Sequence, residues 1–415
     1  SKIMSLQILE RISPVVEPLL RKEQAGFRPN RSCADHINTL RFIIEQSIEY
    51  NSQIYLLFID FERAFDTVSR RALWDALALK GVPEKLISLI KELYTDYVSI
   101  VRFNGQESEP FQTTRGVKQG CVLSPTLFLI LLDCVMQQTN IDSPRGIHWN
   151  LNEYLNDIDY ADDLCLMAHR FSDIEEKLHK LGTNANAVGL KINIKKTKLL
   201  RIGTIVTTPL TLNGEIIDDV ESFTYLGCIL TKDGGSEEDI VNRINKARVA
   251  FHGLYKVWRS NHISTKTKIR IFTCSVMSVL LYGCTTWGTT QHQMARIQTF
   301  INRCLRQIHK IFWPIWVTNE QLLSISNMSP VPTEILKRKW TWIGHILRRP
   351  RNDVARVALE WNPQGHRRPS RPRNTWQRTL VKECRMTNKS WSQIKFLADD
   401  RIEWRRFVGA LCSTT

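Results

Sequence analysis

Apolar positions along the chain change their period several times, and each change marks an element. Near the amino terminus MSLQILERISPVVEPLL has the spacing of an amphipathic helix. From Ser32, SCADHINTLRFIIEQSIEY sets Ile37, Leu40, Ile44 and Ile48 on one helical face behind a Ser32/Asp35 pair in capping-box spacing. IYLLFID then runs without polar interruption to Asp60, the pattern of a central strand buried on both sides. RAFDTVSRRALWDALALKG returns to a helical period that Gly81 ends, and Pro83 opens a further helix, PEKLISLIKELY. VSIVRFNGQESEPFQ and LTLNGEIID alternate around Asn-Gly pairs, a strong hairpin signal. GVKQGCVLSP is a loop of small residues whose Ser124-Pro125 caps the apolar helix TLFLILLDCVMQQ. DIEEKLHKLGTNANAVG reads as an amphipathic helix and KTKLLRIG as a strand.

Up to residue 235 strands and helices mix without strict alternation, which predicts an α+β domain with a mainly antiparallel sheet. From Ser236 strand signals fade and helical periods such as Ile240, Ile244, Ala247 and Phe251 take over, so a helical region is expected there. A chain of 415 residues needs more than one core. No apolar run approaches the roughly 18 residues of a spanning helix, so no membrane is expected among the partners.

Charge narrows the choice of partner. A net +16 points to a polyanion. Lys337 to Arg378 alone carries 12 Lys and Arg against two acids, with Trp340, Trp342, Trp361 and Trp376 interleaved. That block is expected to hold RNA or DNA, its rings stacking on unpaired bases, with GHRRPSRPRN as a loop that doubles as a nuclear import signal. The ten cysteines include no C-x-x-C pair and no regular spacing, which gives a disulfide framework or zinc ribbon no support and fits a reducing cytosol or nucleus. Cys284, His292, Cys304 and His309 match no common zinc spacing and read as scattered core and surface residues.

DIDYADDLCL, residues 157 to 166, places Asp162 and Asp163 between apolar segments. The simplest reading is a turn joining two short strands. If the strand ending at Asp60 neighbours this hairpin, three carboxylates converge. Two such charges about 4 Å apart repel by roughly 1 kcal/mol in water and about 4 kcal/mol at an effective dielectric of 20, so the cluster calls for a cation. Magnesium, hard and oxygen-liganded, suits it, and a pair of such ions supports phosphoryl transfer.

IDFERAFDTV, GVKQGCVLSP, YADDL, GLKINIKKTK and FTYLGCIL occur in the order and approximate spacing of motifs in the reverse transcriptases of non-LTR (LINE-type) retrotransposons, which this chain resembles over essentially its whole length. QAGFRPNRSCADHI is similar to their finger motif, and LLYGCTTW and RKWTWIGHILRRP resemble carboxyl-terminal segments of an RTE-like clade. The resemblance implies a right-hand polymerase: partial fingers over 1–53, a palm with finger insertions over 54–235, a helical thumb over 236–330 and a basic carboxyl-terminal nucleic-acid-binding region over 331–415. It implies RNA-directed DNA synthesis at a DNA 3′ end, made at a nicked target, with an RNA template, a DNA primer, deoxynucleoside triphosphates and two Mg2+ ions for which Mn2+ substitutes.

By the same resemblance Asp60, Asp162 and Asp163 are the metal-binding acids, Asp163 the less directly engaged. Phe65 is the steric gate against a 2′-hydroxyl, and Phe61, Glu62, Arg63 and Ala64 offer backbone amides to the triphosphate. Gln119 and Gly120 line the nascent base pair, the glycine allowing close approach. Lys196 assists the departing pyrophosphate as general acid, with Lys198 a competing register. Arg28 and Arg31 grip template or triphosphate, Tyr225, Leu226 and Gly227 form the primer grip, and Arg367, Arg368, Arg371 and Arg373 contact nucleic acid. The family's first finger segment and upstream endonuclease have no counterpart here, so the chain reads as an amino-terminally truncated piece of a polyprotein, working in nucleus and cytoplasm as a ribonucleoprotein. Two alternatives stay open: an inactive nucleic-acid-binding remnant, and a magnesium-dependent nuclease that explains the acids but not Phe65, Gln119 or the motif order.

Overall fold

Six consecutive apolar residues, Ile54–Ile59 (β1), leave no side of a strand for water, and the fold buries all six. The computed structural model describes residues 2–95, 97–140, 145–150, 153–364, 366–367, 369 and 374–413. β1 lies inside a six-stranded sheet with Asp157–Tyr160 (β2), Asp163–Ala168 (β3), Lys198–Ile202 (β4), Leu210–Leu212 (β5) and Glu215–Val220 (β6), in the order β5-β6-β4-β1-β3-β2. Four of its pairings are antiparallel and one, β4 with β6, is parallel. Tyr55, Leu57 and Ile59 point to a core shared with the helices Ser124–Asn140 and Phe171–Ala187, while Phe58, on the other face, stacks on Phe223 at 4.3 Å. Both Asn-Gly hairpins form, with Asn104, Gly105, Asn213 and Gly214 all at positive φ.

The chain divides into two compact units: Ser1–His36 with Tyr50–Phe223 and Pro363–Arg367, and Ile37–Glu49 with Thr224–Asn362 and Arg368–Thr415. The expected break at 235/236 thus falls at 223/224, and most of the helix Cys33–Glu49 belongs to the second unit. Ion pairs invisible to local pattern account for this: Arg41 meets Asp239 at 3.0 Å, and Arg378 Nη1 meets Glu49 Oε2 at 2.7 Å. Within that unit the helices Glu237–Gly253 and Gln291–Ile308 share a core built on Phe251, Trp258, Phe272 and Leu305.

The tryptophans of the basic block correct the sequence reading. Trp340 and Trp376 are fully buried, and Trp342 and Trp361 are nearly so. Trp340 Nε1 donates to Glu383 at 2.8 Å and Trp376 Nε1 to the Thr285 carbonyl at 2.8 Å. These rings fill the core, where an indole needs only one partner for its N–H, and none offers a face to a base.

Candidate active site

Because β1 and β3 pair with Ile59 opposite Leu164, extending the register by one residue sets Asp60 opposite Asp163. β2 and β3 close with Tyr160 opposite Asp163, so Ala161-Asp162 is a two-residue turn. Ala161 sits at φ +57°, a left-handed value that an alanine adopts only when its surroundings impose it. Burial pushes the Asp162 carboxyl up, with Asp60 adding repulsion. Asp163 rises to about 6, through burial first and then the charges of Asp162 and Asp60. The three acids named from the sequence therefore share one electrostatic site, and Asp163 is the most exposed of them.

Gln24 imposes the turn. Fully buried, its Oε1 accepts from the Ala161 amide at 3.0 Å and from the Gly26 amide at 2.8 Å, and its Nε2 faces the Ala161 carbonyl at 3.4 Å. The segment around it runs beside β2: the Ala25 amide donates to the Asp159 carbonyl at 2.9 Å and the Asp159 amide to the Glu23 carbonyl at 3.1 Å. A Cβ on Gly26 would lie 2.1 Å from the Ala161 nitrogen, so only glycine fits.

The loop GVKQG is fastened to the segment that follows Asp60. Val117 donates to the Phe65 carbonyl and Gly116 to the Val68 carbonyl, both at 2.8 Å, and Gln119 Nε2 reaches Asp66 Oδ1 at 2.8 Å. Phe65 is half-buried and stacks on Phe128 at 4.5 Å. A Cβ on Gly120 would meet nothing within 4 Å among the described residues, so the space beside it is open, and its φ of +81° itself asks for glycine. Phe61 and Ala64 are buried, Glu62 is half-buried and Arg63, at φ +48°, is exposed. The Glu62 amide donates to the Lys191 carbonyl at 2.8 Å, so it is taken and does not wait for a phosphate.

The two lysine registers separate cleanly. Lys196 Nζ lies 3.5 Å from both oxygens of Asp60, whereas Lys198 Nζ is committed to Asp218 at 2.6 Å. The loop before them is tied down by the Asn193 amide, which donates to the Asp60 carbonyl at 2.8 Å. Among the described residues no group of three or more His, Cys, Asp or Glu side chains is arranged to hold a metal ion by itself. The donors that are present, carboxylates of which burial and then mutual repulsion raise two, fit a hard cation whose shell is completed by water and phosphate oxygens.

The profile described as reverse transcriptase (RNA-dependent DNA polymerase) matches residues 1–230, more than half of the chain. The chain belongs to the reverse transcriptase family. A second profile, a domain of unknown function, matches residues 250–282. The Pol polyprotein of the type-2 retrotransposable element R2DM of Drosophila melanogaster is 31% identical over 173 residues, covering 42% of this chain and 16% of that protein. The probable RNA-directed DNA polymerase from transposon BS of the same species is 27% identical over 378 residues, covering 88% of this chain and 40% of that one. The chain therefore spans less than half the length of these curated relatives. Candida tropicalis telomerase in complex with a fragment of telomeric RNA aligns over 98% of this chain and 56% of its own at 12% identity, with a TM-score of 0.47. The retroelement relatives bear out the non-LTR resemblance read from the motifs.

Of the other residues expected to bind nucleic acid, Arg28 is placed differently. Arg28 is turned inward: Nη1 donates to the Arg21 and Gln24 carbonyls at 2.7 and 2.9 Å, Nη2 to the Glu17 carbonyl at 3.2 Å, and Nε to the Glu17 carboxylate at 2.9 Å. Four of its five N–H groups thus hold the Gln24 segment rather than a template. Arg31 is half-buried at the entry to the helix Cys33–Glu49. In the second unit Tyr225 is buried, and Leu226 and Gly227 form a turn with φ of +47° and +79°; the Leu226 carbonyl accepts from Tyr282 Oη at 2.9 Å. Arg367 is exposed, while Arg368, Arg371 and Arg373 lie outside the described residues. Cys284 and Cys304 are buried thiols pushed up to about 12 by desolvation, and among the described residues they belong to no group of three or more potential metal ligands.

Sequence reasoning missed the charged cluster behind the reverse transcriptase turn. Arg21 bonds Asp133 at 3.3 Å, Asp157 at 2.7 Å and also Asp159, while Lys80 reaches Asp133 at 2.5 Å. Burial opposes the guanidinium charge, but Asp157 and Asp159 outweigh it and hold Arg21 above its ordinary range. The signal was present: Asp133 interrupts the apolar run LFLILLDCVM, and DIDY points two acids inward at strand spacing. Gln24 and Gly26 stood within the quoted QAGF motif, but nothing local says that they touch a turn some 135 residues away.

Proposed function

We propose that the chain is an RNA-directed DNA polymerase of a non-LTR retrotransposon, extending a DNA 3′ end on an RNA template from deoxynucleoside triphosphates by target-primed synthesis. The observation that carries the reading is the register that brings Asp60, Asp162 and Asp163 to one sheet edge, with Phe65 and Gln119 fastened beside them. Asp60 and Asp162 would hold Mg2+, or Mn2+ in its place, with Asp163 at the margin. Bound there, the ions supply charge neutralisation and an acidified 3′-hydroxyl. Asp60 and Asp162 orient the reacting groups. Lys196, 67% exposed beside Asp60, moves from that carboxylate to the departing pyrophosphate and gives it a proton. Phe65, backed by Phe128, presents a ring edge where a 2′-hydroxyl would intrude.

Primer extension on an RNA template with magnesium tests this directly. Asp162→Asn is expected to lower synthesis by more than about 100-fold with the fold intact. Unchanged synthesis in that variant removes the site, and template-independent nicking of a duplex without nucleotides replaces polymerisation with a nuclease.

A further inference from the structure

One stretch of the second unit contains no carboxylate at all. The 80 residues from Ile240 to Asn319 hold 12 Lys and Arg and not one Asp or Glu. Part of this charge lines a groove of about 460 Å³ between the helices Glu237–Gly253 and Gln291–Ile308, edged by Arg248, His252, His292, Arg296 and Arg303. The second helix runs on into the segment KIFWPIWV, where Phe312, Trp313, Ile315 and Trp316 are 60, 93, 60 and 82% exposed. Single exposed apolar residues are ordinary, but four within five positions, two of them tryptophan, are not.

The segment is held in that posture. Ile311 and Val317 at its two ends pack against the helical core. Arg306 Nη2 binds the Val317 carbonyl at 3.2 Å and Asn319 Oδ1 at 2.8 Å. The Ile315 amide donates to the Phe312 carbonyl at 2.8 Å, closing a turn. The rings are therefore presented to solvent on a preformed knob and need little ordering to receive a ligand.

We propose that Trp313 and Trp316 are a stacking platform for unpaired nucleotides of a single-stranded polynucleotide, whose phosphates follow the adjoining arginines. Indole planes match base planes, and although Glu237 pairs with Arg296, Arg248 and Arg303 leave the groove cationic, which matches a phosphodiester chain. A second copy of this chain is disfavoured as the occupant because two such cationic surfaces repel. The choice of nucleic acid over another polyanion rests on the polymerase reading.

The test uses the full chain and fluorescence anisotropy with a labelled oligouridylate of about 20 nucleotides and a blunt duplex of equal length. Trp313→Ala with Trp316→Ala is expected to weaken single-strand binding by about tenfold per ring. Duplex affinity should stay within about twofold and the salt slope unchanged, because phosphate contacts persist. Trp313→Phe with Trp316→Phe should restore most of the loss. An equal loss on both ligands, or none, overturns the proposal. So does a dependence on the two rings that is seen only for vesicles containing phosphatidylserine, or only for self-association in sedimentation. Wild-type protein that fails to extend a primer but keeps ring-dependent binding retains the platform and loses the polymerase reading; the converse result does the reverse.

Discussion

Gln24 accepts from two buried amides, Gly26 and Ala161, and both would lose their partner if its carbonyl were removed. Gln24→Met, close in volume, is expected to cost about 1–3 kcal/mol for each unanswered donor, measured as a lower urea midpoint. Gln24→Glu keeps the acceptor and should restore much of that stability; a Met variant as stable as wild type would show that the turn stands without its clamp. At this scale the sequence disclosed chemistry better than contact. Asp162 and Asp163 alone read as a turn, and it was the order of the surrounding motifs that joined them to Asp60, while Lys196 was legible only to within one alternate residue. Arg28 was misplaced because an arginine at a helix entry looks the same whether it faces a phosphate or three backbone groups.

The helix Cys33–Glu49 shows what periodicity resolves and what it leaves out. Its cap forms as the spacing implied, with the Ser32 amide donating to Asp35 at 2.8 Å. Which unit it joins is decided by Arg41, Glu49 and Glu45, whose partners lie between about 190 and 330 residues away. Glu45 accepts from the Trp376 amide at 2.9 Å, yet burial pushes its carboxyl up to about 7, a shift which that hydrogen bond only partly offsets. A folded-state value above the unfolded 4.5 means that the fold carries a proton the unfolded chain has lost, so stability falls as pH rises through 4.5 to 7. Glu45→Gln stays neutral throughout. It should therefore gain stability at pH 8, by no more than about 3 kcal/mol, and gain nothing at pH 4.5. Thermal unfolding of both proteins at the two pH values checks this, and an equal gain at both would mean that charge is not the cause. The buried tryptophans belong to the same lesson: local composition counted Trp340 and Trp376 but did not register that Glu383 and Thr285 were waiting for their N–H groups.

Taken as a whole, the molecule separates two kinds of charge. Acids gather in the first unit, where Asp133, Asp157 and Asp159 surround Arg21 and the three catalytic candidates sit at the sheet edge. Cations dominate residues 240–319 of the second, where 12 Lys and Arg face no carboxylate of their own stretch. Net charge implies a polyanionic partner, and the cations of Lys337–Arg378 stand out by clustering in sequence, whereas residues 240–319 carry as many cations spread over nearly twice the length and are marked by the lack of acids. Binding to any polynucleotide should weaken steeply with salt. Arg248→Ala and Arg303→Ala are each expected to reduce the log-log slope by about 0.7 on a single strand and about 0.9 on a duplex, as released counterions would dictate. Slopes equal to wild type would place the phosphates elsewhere.

The contact between Gly26 and Ala161 has a consequence for any gene that encodes this fold. Since the missing methyl of one residue is the room occupied by the backbone of the other, any codon change that replaces Gly26 would push the aspartate-bearing loop aside while leaving every acid in place. Intact aspartates are thus no certificate of a working copy; an element can fall silent at a glycine with its acids untouched.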